Sequence, residues 1–116
     1  MNDIRDIAAS YYPAIDRSDV EHVLGMYAEN GFYNRAGIKY PDMASIRKFF
    51  VEDRQISGTH SIEGLWSDEE SRTVFVTGHF DGQDRAGTPR SFGFADIWHF
   101  DEADRVSKRE SYLASG

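Results

Sequence analysis

Between Ser91 and Phe100 the chain reads SFGFADIWHF. A strand turns successive side chains to opposite faces, so Phe92, Phe94, Asp96, Trp98 and Phe100 share one face, and Ser91, Gly93, Ala95, Ile97 and His99 share the other. Four large aromatics then flank one carboxylate. A carboxyl group in such surroundings loses its hydration, so it is protonated, or has a partner, or takes part in chemistry. Asp96 is the position at which function is expected, and the other segments are read for what they bring to it.

The same period of two runs through the C-terminal half. Residues 59–66, 73–81, 90–100 and 105–113 each alternate as strands, separated by polar or glycine-containing turns at 67–71, 82–88 and 101–104. Connections this short favour antiparallel neighbours, hence a meander. The N-terminal half reads differently. Ile4, Ile7, Ala8, Tyr11 and Ile15 recur at helical spacing over residues 3–16, with Pro13 expected to kink the last turn. Ser18 and Glu21 read as a capping box for a second helix carrying Val20, Val23, Leu24 and Tyr27, ended by Asn30 and Gly31. A short strand over residues 32–35 and a loop marked by Gly37 and Pro41 follow, and Asp42 then opens a third helix with Met43, Ile46, Phe49 and Phe50 facing inward. Helices on one face of an antiparallel sheet give an α+β fold, and such a half-covered sheet curls into a cone able to admit a small ligand.

The length of 116 residues suits a single domain over residues 1–116. Cysteine is absent, which removes disulfides, thiolate metal sites and cysteine nucleophiles. With 20 acidic against 13 basic residues and a formal charge of −7, the chain would repel phosphates, so no nucleic-acid partner is expected. No stretch is apolar enough for a membrane span, and the N-terminus has no basic segment leading into an apolar run; the expectation is a soluble, cytoplasmic protein. The scattered histidines show no metal-site spacing, and no nucleotide fingerprint occurs, so neither metal nor cofactor is expected.

The segments YYPAIDRSDVEHVLGMYAENGFY, SIRKFF and FADIWHFDEADRVSKRESYL, in that order, resemble the nuclear transport factor 2-like superfamily, in particular SnoaL-like proteins related to ketosteroid isomerase, limonene epoxide hydrolase and scytalone dehydratase. The resemblance covers nearly the whole chain and implies a cone-shaped α+β barrel, a curved, mostly antiparallel sheet wrapped around the N-terminal helices. It says little about reaction, because this fold hosts many chemistries. Compared with the isomerase, its oxyanion-hole tyrosine matches Tyr11 and its protonated aspartate matches Asp96, the enzyme that serves as a standard example of a neutral carboxyl donor. Its general base falls on Arg35, which cannot take a proton at neutral pH. Compared with the hydrolase, His79 and Asp81 match an arginine and an aspartate, and Ser111 stands where another aspartate is needed, beside Glu110.

These comparisons imply a cofactor-free enzyme doing acid-base chemistry on an apolar, oxygen-bearing small molecule, by isomerisation, cyclisation, dehydration or hydrolysis. Asp96 and Tyr11 would polarise a carbonyl or hydroxyl, and His79 or His60 would move the proton. His60 alternates with Ile62 and Trp66 and is expected to face inward. His79 shares a face with Phe75, Thr77 and Asp81, while Val74, Val76 and Phe80 make the opposite face the more apolar one; the hydrolase comparison directs it inward. Arg109, Arg35, Tyr33, Phe94, Trp98 and Ser111 complete the expected ligand-binding set, with Arg109 placed to neutralise Asp96 or to grip an anion. The alternatives are a non-catalytic binding protein and a dimerisation module of the same fold. The resemblance also implies a homodimer formed through the exposed sheet face around Ile97 and His99.

Overall fold

The computed structural model describes residues 3–115. Helix α1 spans Ile4–Asp16, capped by Asp3, whose side chain accepts from Arg5 N. Its apolar spacing buries Ile4, Ala8, Tyr11, Tyr12, Ala14 and Ile15. Pro13 sits on the exposed side, and the helix runs past it to Asp16, with Arg17 N donating to Pro13 O at 3.1 Å. Helix α2 covers Val20–Gly25, and its cap is Asp19, which accepts from His22 N, in place of the expected Ser18. Ser18 takes a left-handed backbone (φ 59°) in the tight turn between the helices, and so stands one residue outside the cap.

Strand β1 runs over Tyr27–Arg35, starting five residues earlier than its sequence pattern suggested. Val106 N donates to Met26 O at 2.8 Å and Tyr27 pairs with Val106, so sheet pairing claims residues that helical spacing assigned to α2. A short β2, Ile38–Tyr40, occupies what read as a loop and pairs antiparallel with β1. Asp42 caps α3, Met43–Lys48, in a reciprocal box with Ser45. The chain then widens into a π-helical turn, Phe49–Asp53, which buries Phe49 and Phe50 and is closed by Arg54 N donating to Phe49 O at 2.8 Å. The long strands β3 (Ile56–Asp68), β4 (Thr73–Asp84), β5 (Pro89–Phe100) and β6 (Val106–Ser115) follow as the expected meander.

The six strands form one curved, unclosed mixed sheet in the order β2-β1-β6-β5-β4-β3, in which β1 lies parallel to β6 and the other neighbours are antiparallel. The helices fill its concave face, as the α+β cone requires. Glycines permit the tightest approach in the curl: a Cβ on Gly58 would lie 2.3 Å from Asp81 O, and one on Gly82 would lie 2.1 Å from Ser57 O. Val74, Val76, Phe80 and Trp98 are fully buried on the concave side. Burying a Val or Phe side chain contributes about 1.5–3 kcal/mol, so this layer supports the fold together with the helix residues packed on it. Among the described residues no helix is long and apolar enough to cross a membrane.

Candidate functional site

Register brings the central residues together. Asp96 on β5 pairs directly with Ser111 on β6, and Arg109 pairs with Trp98 on one side and Tyr33 on the other. Asp96 and Arg109 are therefore diagonal neighbours on the concave face, within reach of a long side chain. Arg109 Nη2 donates to Asp96 Oδ2 at 3.2 Å, and both groups are almost wholly buried. From α1, Tyr12 OH donates to the same oxygen at 2.5 Å, and Trp98 Nε1 donates to Tyr12 OH at 3.2 Å. Ser111 Oγ donates to Asp96 Oδ1. With its proton so committed, Ser111 accepts from Tyr33 OH at 2.9 Å.

Asp96 thus receives three donors, as the counterion of a buried cation. Arg109 is boxed by rings, its guanidinium carbon 4.1 Å from the centroid of Tyr11, 4.3 Å from that of Trp98 and 4.5 Å from that of Tyr33. Arg109 Nη1 donates to Tyr27 OH at 3.4 Å, while its buried Nε has no hydrogen-bond partner among the described residues. Burial works to lower the Arg109 pKa, but the counter-charge of Asp96 together with the hydroxyls of Tyr11, Tyr33 and Tyr27 outweighs it and holds the guanidinium well above its ordinary value. Burial pushes the Tyr12 hydroxyl well above its usual value, with Asp96 adding to the rise. It also pushes Tyr33 up to about 12.

A second pair lies beside this network. Asp16, the last residue of α1, accepts from His60 Nδ1 at 2.6 Å through Oδ1 and from His60 N at 3.0 Å through Oδ2. Both carboxylate oxygens hold one residue of β3, which fixes the imidazole with its proton on Nδ1 and leaves Nε2 as the acceptor. The ring packs among Phe80, Phe94, Tyr12 and Tyr11. Burial lowers the His60 pKa below its ordinary 6.5; the bond from Asp16 opposes this, and the cations Arg54 and Arg109 reinforce it.

His60, Tyr11, Asp96, Arg109 and Ser111 line an inner chamber of about 30 Å³, room for one small functional group. Arg35, Phe49, Arg54, Ile56, Phe92 and Leu113 line both this chamber and a wider cavity of about 620 Å³, so the two form one funnel. Tyr11 makes no hydrogen bond among the described residues, and its hydroxyl is not sealed off, so it is the phenol left available to a ligand. Tyr33 and Phe94 also line the chamber, and Trp98 lies behind it under Arg109.

His79 is elsewhere. It pairs with Gly93 on the convex face, where Nε2 lies 2.7 Å from Ser91 Oγ and 3.6 Å from Asp81. Val74, Val76, Gly78 and Phe80 occupy the concave side of β4, and a Cβ on Gly78 would meet the Phe94 ring at 2.6 Å. The inward direction suggested by the hydrolase comparison is thereby corrected. Sequence reading missed Asp16 and Tyr12. Their spacing of four on α1 puts both on one helix face, but what that face meets is set by the sheet. Among the described residues no group of three or more His, Asp or Glu side chains gathers in a way that could hold a metal ion.

No protein-family model and no curated relative matches the sequence. Solved structures do match. An NTF2-like protein of unknown function from Burkholderia pseudomallei superposes with a TM-score of 0.82 at 16% identity, over 97% of this chain and 92% of that one. A protein of ketosteroid isomerase-like fold from Catenulispora acidiphila, solved with trimethylamine, gives 0.79 at 15% identity over 93% and 85%. An epoxide hydrolase from M. tuberculosis, of the kind resembling limonene epoxide hydrolase, gives 0.80 at 11% identity over 95% and 81%. Proteins provisionally named SnoaL-like polyketide cyclases are also among the matches. At these identities the likeness is one of fold, and the chain has the cone-shaped NTF2-like fold of the ketosteroid isomerase-like and SnoaL-like proteins.

Proposed function

We propose that the protein is a cofactor-free acid-base enzyme that moves a proton next to a carbonyl in a small oxygen-bearing molecule. The observation that carries this reading is the Asp16–His60 hydrogen bond of 2.6 Å, which leaves a neutral imidazole nitrogen available at an aromatic-walled chamber. His60 Nε2 takes the proton, and Asp16 stabilises the imidazolium that forms. Tyr11 OH donates to the oxygen on which charge develops. Asp96 acts here as the anchor of Arg109, Tyr12 and Ser111, and so shapes the chamber floor without itself exchanging a proton. Isomerisation, aldol-type cyclisation and dehydration all begin with such a transfer. The chamber's 30 Å³ admits only the reacting end of a substrate, whose body would lie in the wider funnel.

The test is solvent-deuterium exchange, followed by NMR, into a panel of small ketones and β-hydroxy ketones. The wild type should exchange the carbon-bound proton next to the carbonyl, and His60→Gln should slow this by about a hundredfold or more. Exchange that survives in His60→Gln at the wild-type rate would remove His60 from the reaction.

We also propose a homodimer through the convex sheet face. Trp66, Tyr112 and Phe75 are 58%, 54% and 40% exposed there, an unusual concentration of bare aromatic surface for a monomer.

A further inference from the structure

The funnel mouth is positively charged in a chain whose formal charge is −7. Arg35, Arg54 and Arg90 line it together with Asp53 and Asp84. Those two acids are already engaged. Asp53 Oδ1 accepts from Lys48 Nζ at 3.0 Å, and Asp84 Oδ1 accepts the N–H groups of Ala86 and Thr88 at 2.9 and 3.0 Å. Among the described residues the three arginines take part in no ion pair, whereas Arg5, Arg17, Arg47, Arg72 and Arg109 all do.

Two of these cations are also held in place. The Arg35 guanidinium lies 5.2 Å from the centroid of the Phe49 ring, and Arg54 Nη1 donates to Ile56 O at 3.0 Å. Each keeps further N–H donors free, so much of the entropy cost of gripping a ligand is met before it arrives. Burial lowers the Arg54 pKa, and although Tyr11 opposes this, the positive charges of Arg35 and Arg109 lower it further, as befits an arginine with cationic neighbours and no ion-pair partner of its own among the described residues. Both arginines line the inner chamber as well as the mouth, beside Phe92 and Leu113.

We infer that the funnel takes a small carboxylic acid with an apolar body, its carboxylate gripped by Arg35 and Arg54. A guanidinium fork matches the two oxygens of a carboxylate, and Phe49, Phe92 and Leu113 supply apolar walls for the remainder. The placement of the reacting end beside His60 rests on the acid-base reading above; the carboxylate grip rests on the arginines alone.

Isothermal titration calorimetry with benzoate, cinnamate and 3-phenylpropionate, each against its primary amide, tests the grip. The wild type should prefer the acids by at least about tenfold, a preference that weakens with added salt. Arg35→Gln and Arg54→Gln, with folding checked by circular dichroism, should bring acid and amide to within about twofold of each other. Arg85→Gln, an exposed turn arginine outside the cavity lining, should leave the preference intact. Acids and amides bound alike, or neither bound, overturns the inference, as does a preference unchanged in both funnel variants. His60→Gln separates the two readings: the carboxylate preference should persist in that variant, whatever becomes of proton exchange.

Discussion

Replacing Asp96 by Asn tests the assignment of this residue as an anchor. Asp96 and Arg109 side chains are 3% and 4% exposed, and their ion pair is 3.2 Å long. The amide keeps the shape but removes the charge, leaving Arg109 as a buried cation among aromatic rings. Breaking one half of a buried pair costs about 3–5 kcal/mol, because the remaining charge is left desolvated and uncompensated. The amide also has only one acceptor oxygen for a position that receives from Tyr12, Ser111 and Arg109, so one donor loses its partner. Urea unfolding followed by circular dichroism reads the loss. At an m-value of about 1.5 kcal/mol/M, the midpoint should fall by roughly 2–3 M. Adding Arg109→Met to Asp96→Asn removes the stranded cation, so the double variant should be no less stable than Asp96→Asn alone, a coupling that a thermodynamic cycle would detect. A loss below about 1 kcal/mol for Asp96→Asn would refute the reasoning, since it would mean that Arg109 does not depend on this counterion.

Three further outcomes are expected. Because burial lowers the folded-state pKa of His60 below 6.5, the native chain binds fewer protons than the unfolded chain in the interval between the two values; its contribution to stability is full above 6.5 and lost as pH falls through that window, a slope that should flatten in His60→Gln when urea midpoints are compared across pH. In histidine-selective NMR titrations, Asp16→Asn should lower the His60 pKa further, since the Asp16 hydrogen bond raises it; an upward shift would contradict the proposed tautomer. Trp66→Lys combined with Tyr112→Lys should turn a sedimenting dimer into a monomer and alter stability by no more than about 0.5 kcal/mol per site, and a wild type that already sediments as a monomer would reject the interface.

The strand half of the fold was legible because period-two alternation is dense there, and a one-residue slip would turn Asp96 and its aromatic neighbours to the wrong face. The same rule, applied to Val74, Val76 and Phe80, pointed His79 outward against the family comparison, and the apolar pattern proved the better guide. What stayed hidden was non-local. The pairing of β1 with β6 joins residues such as Tyr33 and Arg109 that no spacing rule connects, and it also drew Tyr27 out of α2. Tyr11 and Tyr12 are adjacent on α1 and both buried, so helical spacing alone did not reveal that Tyr12 reaches Asp96 while Tyr11 stays available. The partner of His60 lies 44 positions away, at a helix end whose position over β3 only the assembled sheet defines.

The π turn at Phe49–Asp53 gives the funnel a dependence on chain length. Such a turn is an α-helical turn carrying one surplus residue. Removing that residue, for instance exposed Val51, would restore the ordinary winding and rotate everything after it by about 100° about the helix axis. Arg54, tied to Phe49 O by the closing bond of the turn, would swing away from Arg35. A one-residue deletion here would therefore act as a substitution of charge at the mouth, changing which ligands the cone admits although neither Asp16 nor His60 is replaced.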